Sequence, residues 1–265
     1  QCAFQLPIQS TPDSSVSFVM ATDGPVPIDQ TLLLSLTPRG ETTSKLETFV
    51  RSLHPRGSIQ VTSASIQVDA NKKLSKRIDL RVTDGHMRYE KFPYPLYNVT
   101  GTILVDDDLV TLAGMRASNA NAGTIRCDGS YQMPKRSKTD IEISPSELAL
   151  QFHVNDIPMD ESLRTSLPRE SQQVWDSLAP SGTLDEMSVG LRQTGIGNPL
   201  QLNLHAVERN HPQITSQTLS IRPQSIPYRL DITGGSVRFD GKTVTIESIR
   251  GRHDAVSYTH LRAHE

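Results

Sequence analysis

Aromatic residues are scarce in this chain: phenylalanine, tyrosine and tryptophan make up 5% of 265 residues, and hydrophobic residues as a whole 35%. So lean a supply argues against a thick-cored enzyme and for sheets that keep one wet face. An excess of one charge is missing too. Twenty-seven Lys and Arg face 29 Asp and Glu, for a formal net charge of -2 and a pI near 6.5. That balance excludes a broad phosphate-binding surface, so no nucleic-acid partner is expected. Only two cysteines are present, Cys2 and Cys127, too few for a disulfide framework or a four-ligand zinc site. No apolar run approaches the ~20 residues of a membrane span; the longest lies around Leu32 to Leu36. The chain begins at Gln1 with neither an initiator Met nor a signal-peptide pattern, so Gln1 reads as a mid-protein position and any anchor or export signal would lie upstream. The composition is still too rich in apolar residues for a disordered chain, and the length suffices for one or two domains.

Patterns that carry chemistry are absent as well. There is no G-x-S-x-G elbow, P-loop or G-x-G-x-x-G, and Gly195-Ile196-Gly197 reads as turn chemistry. His54, His86, His153, His205, His211 and His253 are scattered without ligand spacing, and Cys127 has no patterned His partner. Asp106-Asp107-Asp108 lacks an EF-hand context and reads as a solvated hairpin tip. No pair of carboxylates suggests a glycosidase-like cleft. The sequence therefore predicts no catalytic residue, no metal and no cofactor. Asn98-Val99-Thr100 is a formal glycosylation sequon, but its Asn reads as a turn residue.

What is present is repetition. Val26-Pro27-Ile28-Asp29 matches Ile157-Pro158-Met159-Asp160, and Leu34-Ser35-Leu36 falls on Thr165-Ser166-Leu167. Leu53, Pro55 and Gly57 fall on Leu178, Pro180 and Gly182; Val99-Thr100-Gly101 on Ile232-Thr233-Gly234; Leu109 to Leu112 on Thr243 to Ile246. Ordered matches about 130 residues apart predict one nearly whole unit over 1–130 and an incomplete second over 131–254.

Each unit is expected to open with a helical pair, at about 29–54 and about 160–179. Asp29 and Asp160 stand where N-caps belong, with Leu32, Leu33 and Leu36 on one face of the first helix and Pro38-Arg39-Gly40 as its stop. Leu46, Phe49, Val50 and Leu53 give the next helix its apolar stripe. Val174, Trp175 and Leu178 do so in the second unit, with Trp175 matched to Phe49 and both read as core. Strands follow. Ile59, Val61, Ile66 and Val68 alternate with polar residues, as do Ile78, Leu80 and Val82. Ile103 and Val105 turn through the aspartates into Val110 and Leu112, and Val237 and Phe239 turn through Asp240-Gly241 into Val244 and Ile246. Leu148 to Val154 and Leu200 to Leu204 continue the sheet. The fold class expected is mainly β: a long antiparallel meander in an open, curved sheet, with a short helical pair in each unit.

Residues 256–265, VSYTHLRAHE, are similar to one reading frame of a transposase-type sequencing adapter. They are expected to be a non-native tail, with the genuine sequence stopping near Asp254. The His260 and His264 pair is accordingly not read as a metal site.

The stretch Leu80 to Gly129 carries a cadence: Asp84-Gly85-His86-Met87-Arg88-Tyr89, Phe92-Pro93-Tyr94-Pro95-Leu96, Asn98-Val99-Thr100-Gly101, a hairpin, then a small-residue strand ending Asp128-Gly129. It resembles AsmA-like and TamB-like envelope proteins, particularly the large ones of planctomycete-type bacteria, and the helix entry at Ile157 to Asp160 with Trp175 is similar to their helical insert. The resemblance implies a non-enzymatic periplasmic scaffold anchored at the inner membrane through a missing N-terminal segment. It further implies an apolar β-groove holding or conducting phospholipid or other acyl lipid between membranes. The lipid-facing candidates are then Ile78, Leu80, Val82, Ile103, Val105, Val110, Leu112, Val237, Phe239, Val244 and Ile246. The rival expectation is a structural envelope or surface repeat protein whose sheets close into packed layers with no transported ligand. An open apolar face favours the first. A second sheet over it favours the second, as would a plug formed by Leu46, Phe49, Val50 and Leu53.

Overall fold

The computed structural model describes residues 2–5, 16–37, 45–69, 74–121, 123–136, 142–195, 197–206, 218–225, 228–239, 244–253 and 256–264. The Pro38 to Gly40 stop and the Asp240-Gly241 turn lie outside them.

The strands are β1 (Cys2–Gln5), β2 (Val16–Thr22), β3 (Val26–Pro27), β4 (Arg56–Val68), β5 (Leu74–Tyr89), β6 (Phe92–Asp106), β7 (Leu109–Ser118) and β8 (Thr124–Gln132). A small hairpin of β9 (Lys135–Arg136) and β10 (Glu142–Ser144) leads to β11 (Glu147–Pro158), β12 (Thr183–Thr194), β13 (Gln201–Ala206), β14 (Ser220–Ile221), β15 (Leu230–Phe239), β16 (Val244–His253) and β17 (Val256–His264). Helices α1 (Gln30–Ser35) and α2 (Lys45–Ser52) join β3 to β4; α3 (Glu161–Ser166) and α4 (Arg169–Leu178) join β11 to β12.

Thirteen strands form one continuous antiparallel path, β1-β2-β4-β5-β6-β7-β8-β11-β12-β13-β15-β16-β17, with β3 and β14 paired at its side. Neighbours in space are mostly neighbours in sequence, as a meander requires, and β1 does not pair with β17, so the sheet is open. The expected fold class is the one observed. Residues 256–264 pair with β16 as a strand, not as the helix that would bring His260 and His264 together.

Local chemistry explains the helical pairs. The Asp29 carboxylate accepts the Leu32 N–H at 2.9 Å, and the Asp160 carboxylate accepts the Leu163 N–H at 3.0 Å, each satisfying a donor that the first turn leaves orphaned. The Ile28 N–H donates to Gly57 O and the Met159 N–H to Gly182 O, both at 2.9 Å, closing each helical excursion at its base. Both pairs end on a left-handed residue, His54 (φ 42°) and Ala179 (φ 43°), and then hand backbone bonds to the sheet. Arg88 and Glu90 N–H donate to Leu53 O and Ser52 O; Arg222 and Gln224 N–H donate to Leu178 O and Ser177 O.

That shared pattern sets Leu53 beside Leu178, and therefore Phe49 beside Val174 and Val50 beside Trp175. The expected Trp175–Phe49 match is one residue out. The reading of Phe49 as core is overturned: Phe49 is 55% exposed and Val174 53%, because in each helix this residue faces away from the sheet. Trp175 is half-buried.

A second correction concerns β6 and β15. Thr100 pairs with Arg116 and Gly234 with Arg250, so Gly101 corresponds to Gly235, one residue beyond the sequence match. Both glycines take an extended positive-φ conformation (147° and 152°). A Cβ on Gly101 would lie 2.7 Å from the Met115 Cα, and one on Gly235 3.0 Å from the Ile249 Cα, so the neighbouring strand passes too close for a side chain.

Candidate functional site

The expected groove residues come together in cross-strand rows. Partners directly opposite one another in an antiparallel ladder share a face. Ala64, Ile78, Val105, Val110, Tyr131 and Leu148 are opposite one another in turn from β4 to β11. The next row runs Val61, Leu80, Ile103, Leu112, Gly129, Leu150, Leu191, Leu202, then Phe239 and Val244. A third runs Cys127, Phe152, Val189, Leu204, then Val237 and Ile246. Val82 lies in line with the third row, opposite Ile59 and Gly101. For Val237, Phe239, Val244 and Ile246 the placement is one of backbone register; their side chains lie outside what is described. The other seven candidates share a face: Val82 is buried and the rest are half-buried.

Bulges keep the face continuous. In β4 the apolar parity switches between Val61 and Ala64, and an extra residue at Thr62 restores the alignment with Leu80 and Ile78. In β7 the register shifts between Leu112 and Met115, where Gly114 adopts φ 60° and donates its N–H to the Asp128 carboxylate at 2.6 Å. Met115 is thereby turned onto the apolar face opposite Cys127, where it covers Gly101. Strict alternation from Val110 and Leu112 passes over Met115, and sequence reasoning missed it. Burial pushes the Cys127 thiol up to about 12, with the Asp128 carboxylate adding to the shift, so the group is an inert apolar filler here.

One end of the face is roofed. Tyr94, Ile157 and Leu184 are buried together, with Leu96, Ile125, Val154, Met187 and Leu219 around them and Met159, just before α3, and Leu163 of α3 packed on. Of the described helices, α3 is the one that lies along a strand, β6. The Tyr94 hydroxyl accepts from Asn119 Nδ2 at 2.8 Å; Asn119 Oδ1 accepts the Asn121 and Gly123 N–H groups at 2.9 and 2.7 Å. Asn121 Nδ2 in turn donates to the capping carboxylate of Asp160 at 3.2 Å, tying the β7–β8 corner to α3. Burial raises the Tyr94 phenol, with the Asn119 bond partly opposing the shift.

Beyond this end, no second sheet lies on the rows among the described residues. The suggested plug is not formed by Phe49, which is exposed; the Leu46 side chain lies outside what is described.

The remaining chemistry-bearing residues are not assembled. Asp106, Asp107 and Asp108 form the β6–β7 tip, where the Asp107 carboxylate accepts the Lys76 N–H at 2.7 Å. His153 is exposed on the polar face beside Ser188, and Asn98 is an exposed left-handed residue (φ 52°) donating to Ser118 Oγ. Among the described residues no cluster of His, Cys, Asp and Glu is placed to hold a metal ion. No described helix is long and apolar enough to cross a membrane.

These features define a class, an open antiparallel β scaffold with one apolar face. No protein-family model, curated protein or solved structure matches the chain.

Proposed function

We propose that this chain is part of a non-enzymatic, AsmA-like scaffold of a bacterial cell envelope that holds or conducts lipid acyl chains along its apolar face. The observation that carries the reading is the alignment of Leu80, Ile103, Leu112, Leu150, Leu191 and Leu202 in one row across seven strands, with no second layer over it among the described residues. Uncovered apolar area of this extent is costly in water, and acyl chains offset that cost at roughly 0.8 kcal/mol per buried CH₂. Strands about 4.8 Å apart carry the row from β4 to β16, a geometry suited to a long flexible ligand and not to a compact one. A periplasmic position, with anchorage at the inner membrane through a segment outside this sequence, belongs to the same proposal.

The test is mass spectrometry of lipids that co-purify with the chain from mild detergent. Bound acyl lipid is expected from the native sequence, and a large reduction from Leu80→Asp/Leu112→Asp. A lipid-free native preparation would refute the reading.

A further inference from the structure

We infer that the corner formed by Tyr228 and His253 is a docking site for helix α1 of a second copy of this chain, so that copies associate head to tail. The inference does not rest on the lipid-holding reading. The corner is the second unit's version of one whose cover the structure shows. Pro93-Tyr94-Pro95-Leu96 recurs as Pro227-Tyr228-Arg229-Leu230. The register that matches Gly101 to Gly235 then sets Tyr94 on Tyr228 and Asn119 on His253.

In the first unit the corner is covered. Tyr94 is 6% exposed and Ile157 3%, with Met159 and Leu163 packed on them. The covering residues come from the end of β11 and from α3, and they reach back past β8 and β7 to β6. In the second unit Tyr228 and His253 stack with ring centroids 4.4 Å apart, and His253 Nδ1 donates to Arg229 O at 2.9 Å. Both residues nevertheless remain half-buried, and no described helix lies along β15. β15 and β16 stand where β6 and β7 do, with β17 in the place of β8.

The other end of the sheet holds the matching cover. Val26 pairs with Ile59 as Ile157 pairs with Leu184. Ile28 and Met159 make the same bond to Gly57 and Gly182, and Asp29 caps Leu32 as Asp160 caps Leu163. Val26, Ile28 and Leu32 are thus the counterparts of Ile157, Met159 and Leu163. Val26, however, is half-buried where Ile157 is closed off, and β1, in the place of β8, ends the sheet path. A corner without its cover and a cover without its corner complete one another. Joining them buries Tyr228 against Ile28 and Leu32, and sets β16 and the next copy's β2 on either side of one strand. β1 and β17 both hold the place of β8, so the four-residue β1 gives way. Open sheet ends favour strand pairing of this kind. In the covered corner Asn121 binds Asp160 at 3.2 Å; in the docked one Asp29 stands beside His253, an imidazole in the place of the Asn119 amide. The contact is heterologous and does not close on itself.

The test is sedimentation velocity of the full 265-residue chain, free of lipid and detergent, over a wide range of concentration. The native chain is expected to grow from its 29.3 kDa monomer into longer species as concentration rises. Leu32→Asp, which spoils the cover, and Tyr228→Asp, which spoils the corner, are each expected to stay monomeric. Mixed in equal amounts they should form a two-chain species, because each supplies the half that the other lacks. Such pairing also shows that both variants are folded. Leu32→Ala and Tyr228→Ala are expected to weaken self-association about tenfold or more, and Phe49→Ser, on the outer side of α2, to leave it unchanged. A native chain that stays monomeric overturns the proposal, as does unchanged association in either alanine variant. So does a mixture of the aspartate variants that stays monomeric while each gives the native circular dichroism. Association that survives Leu32→Asp but not Leu80→Asp/Leu112→Asp runs through the apolar face and overturns it too.

Discussion

Asn119 donates from Nδ2 to the Tyr94 hydroxyl at 2.8 Å, and its own carbonyl oxygen holds the Asn121 and Gly123 N–H groups. One buried amide thus joins the start of β6 to the turn between β7 and β8. Tyr94→Phe is expected to cost about 1 kcal/mol, and Asn119→Ala about 2–3 kcal/mol, because the alanine also leaves the buried Gly123 N–H unpaired. Urea unfolding of both variants checks the order. Equal losses would mean that the corner does not depend on the amide.

Gly129 has φ 156°, and a Cβ there would overlap the Ala149 carbonyl oxygen of the adjoining strand. Gly129→Ala is expected to destabilise by about 2 kcal/mol or more, since backbone must move to admit the methyl. Gly24→Ala, with nothing near its added carbon, is expected to stay within about 0.5 kcal/mol. The comparison fails if the two variants unfold at the same denaturant concentration.

Burial holds the Cys127 thiol neutral up to about 12, against an ordinary value near 9.0. Below about pH 8 the folded and unfolded thiols are both protonated, and the residue adds no pH dependence. Between pH 9 and 12 the unfolded thiol ionises first, so stability falls as pH rises through that window. In a Cys2→Ser background, the midpoint of urea unfolding should drop less between pH 8 and 10.5 in Cys127→Ala than in its parent. Iodoacetamide at pH 8.5 should label the folded parent far more slowly than the urea-unfolded chain. Rapid labelling of the folded protein would place the thiol in water.

Phe49 and Val174 point outward from α2 and α4, whereas Leu163 packs beside Tyr94. Phe49→Ser and Val174→Ser are each expected to change stability by less than about 0.5 kcal/mol. Leu163→Ala should cost about 1–2 kcal/mol, less than a fully buried leucine because the side chain is only half-covered. Thermal melts that rank Phe49→Ser below Leu163→Ala would show that α2 packs on something through Phe49.

Much of the fold was written in local chemistry. The alternation of Ile78, Leu80 and Val82, the capping aspartates Asp29 and Asp160, and the turn at Asp106 to Asp108 act over a few residues, so the sequence alone determined strand, helix start and hairpin. The same locality made Ile103, Val105, Val110 and Leu112 legible as a shared face, since a tight hairpin sets its own register. Tertiary structure decided what depends on distant chain. The bulges at Thr62 and Gly114 turn Ala64 and Met115 onto the apolar face; the first shows in the sequence only as a change of parity between Val61 and Ile66, and both are located by the strand they oppose. Phe49 has the spacing of a core residue but faces outward, since an amphipathic stripe says which side of a helix is apolar and not whether anything comes to cover it.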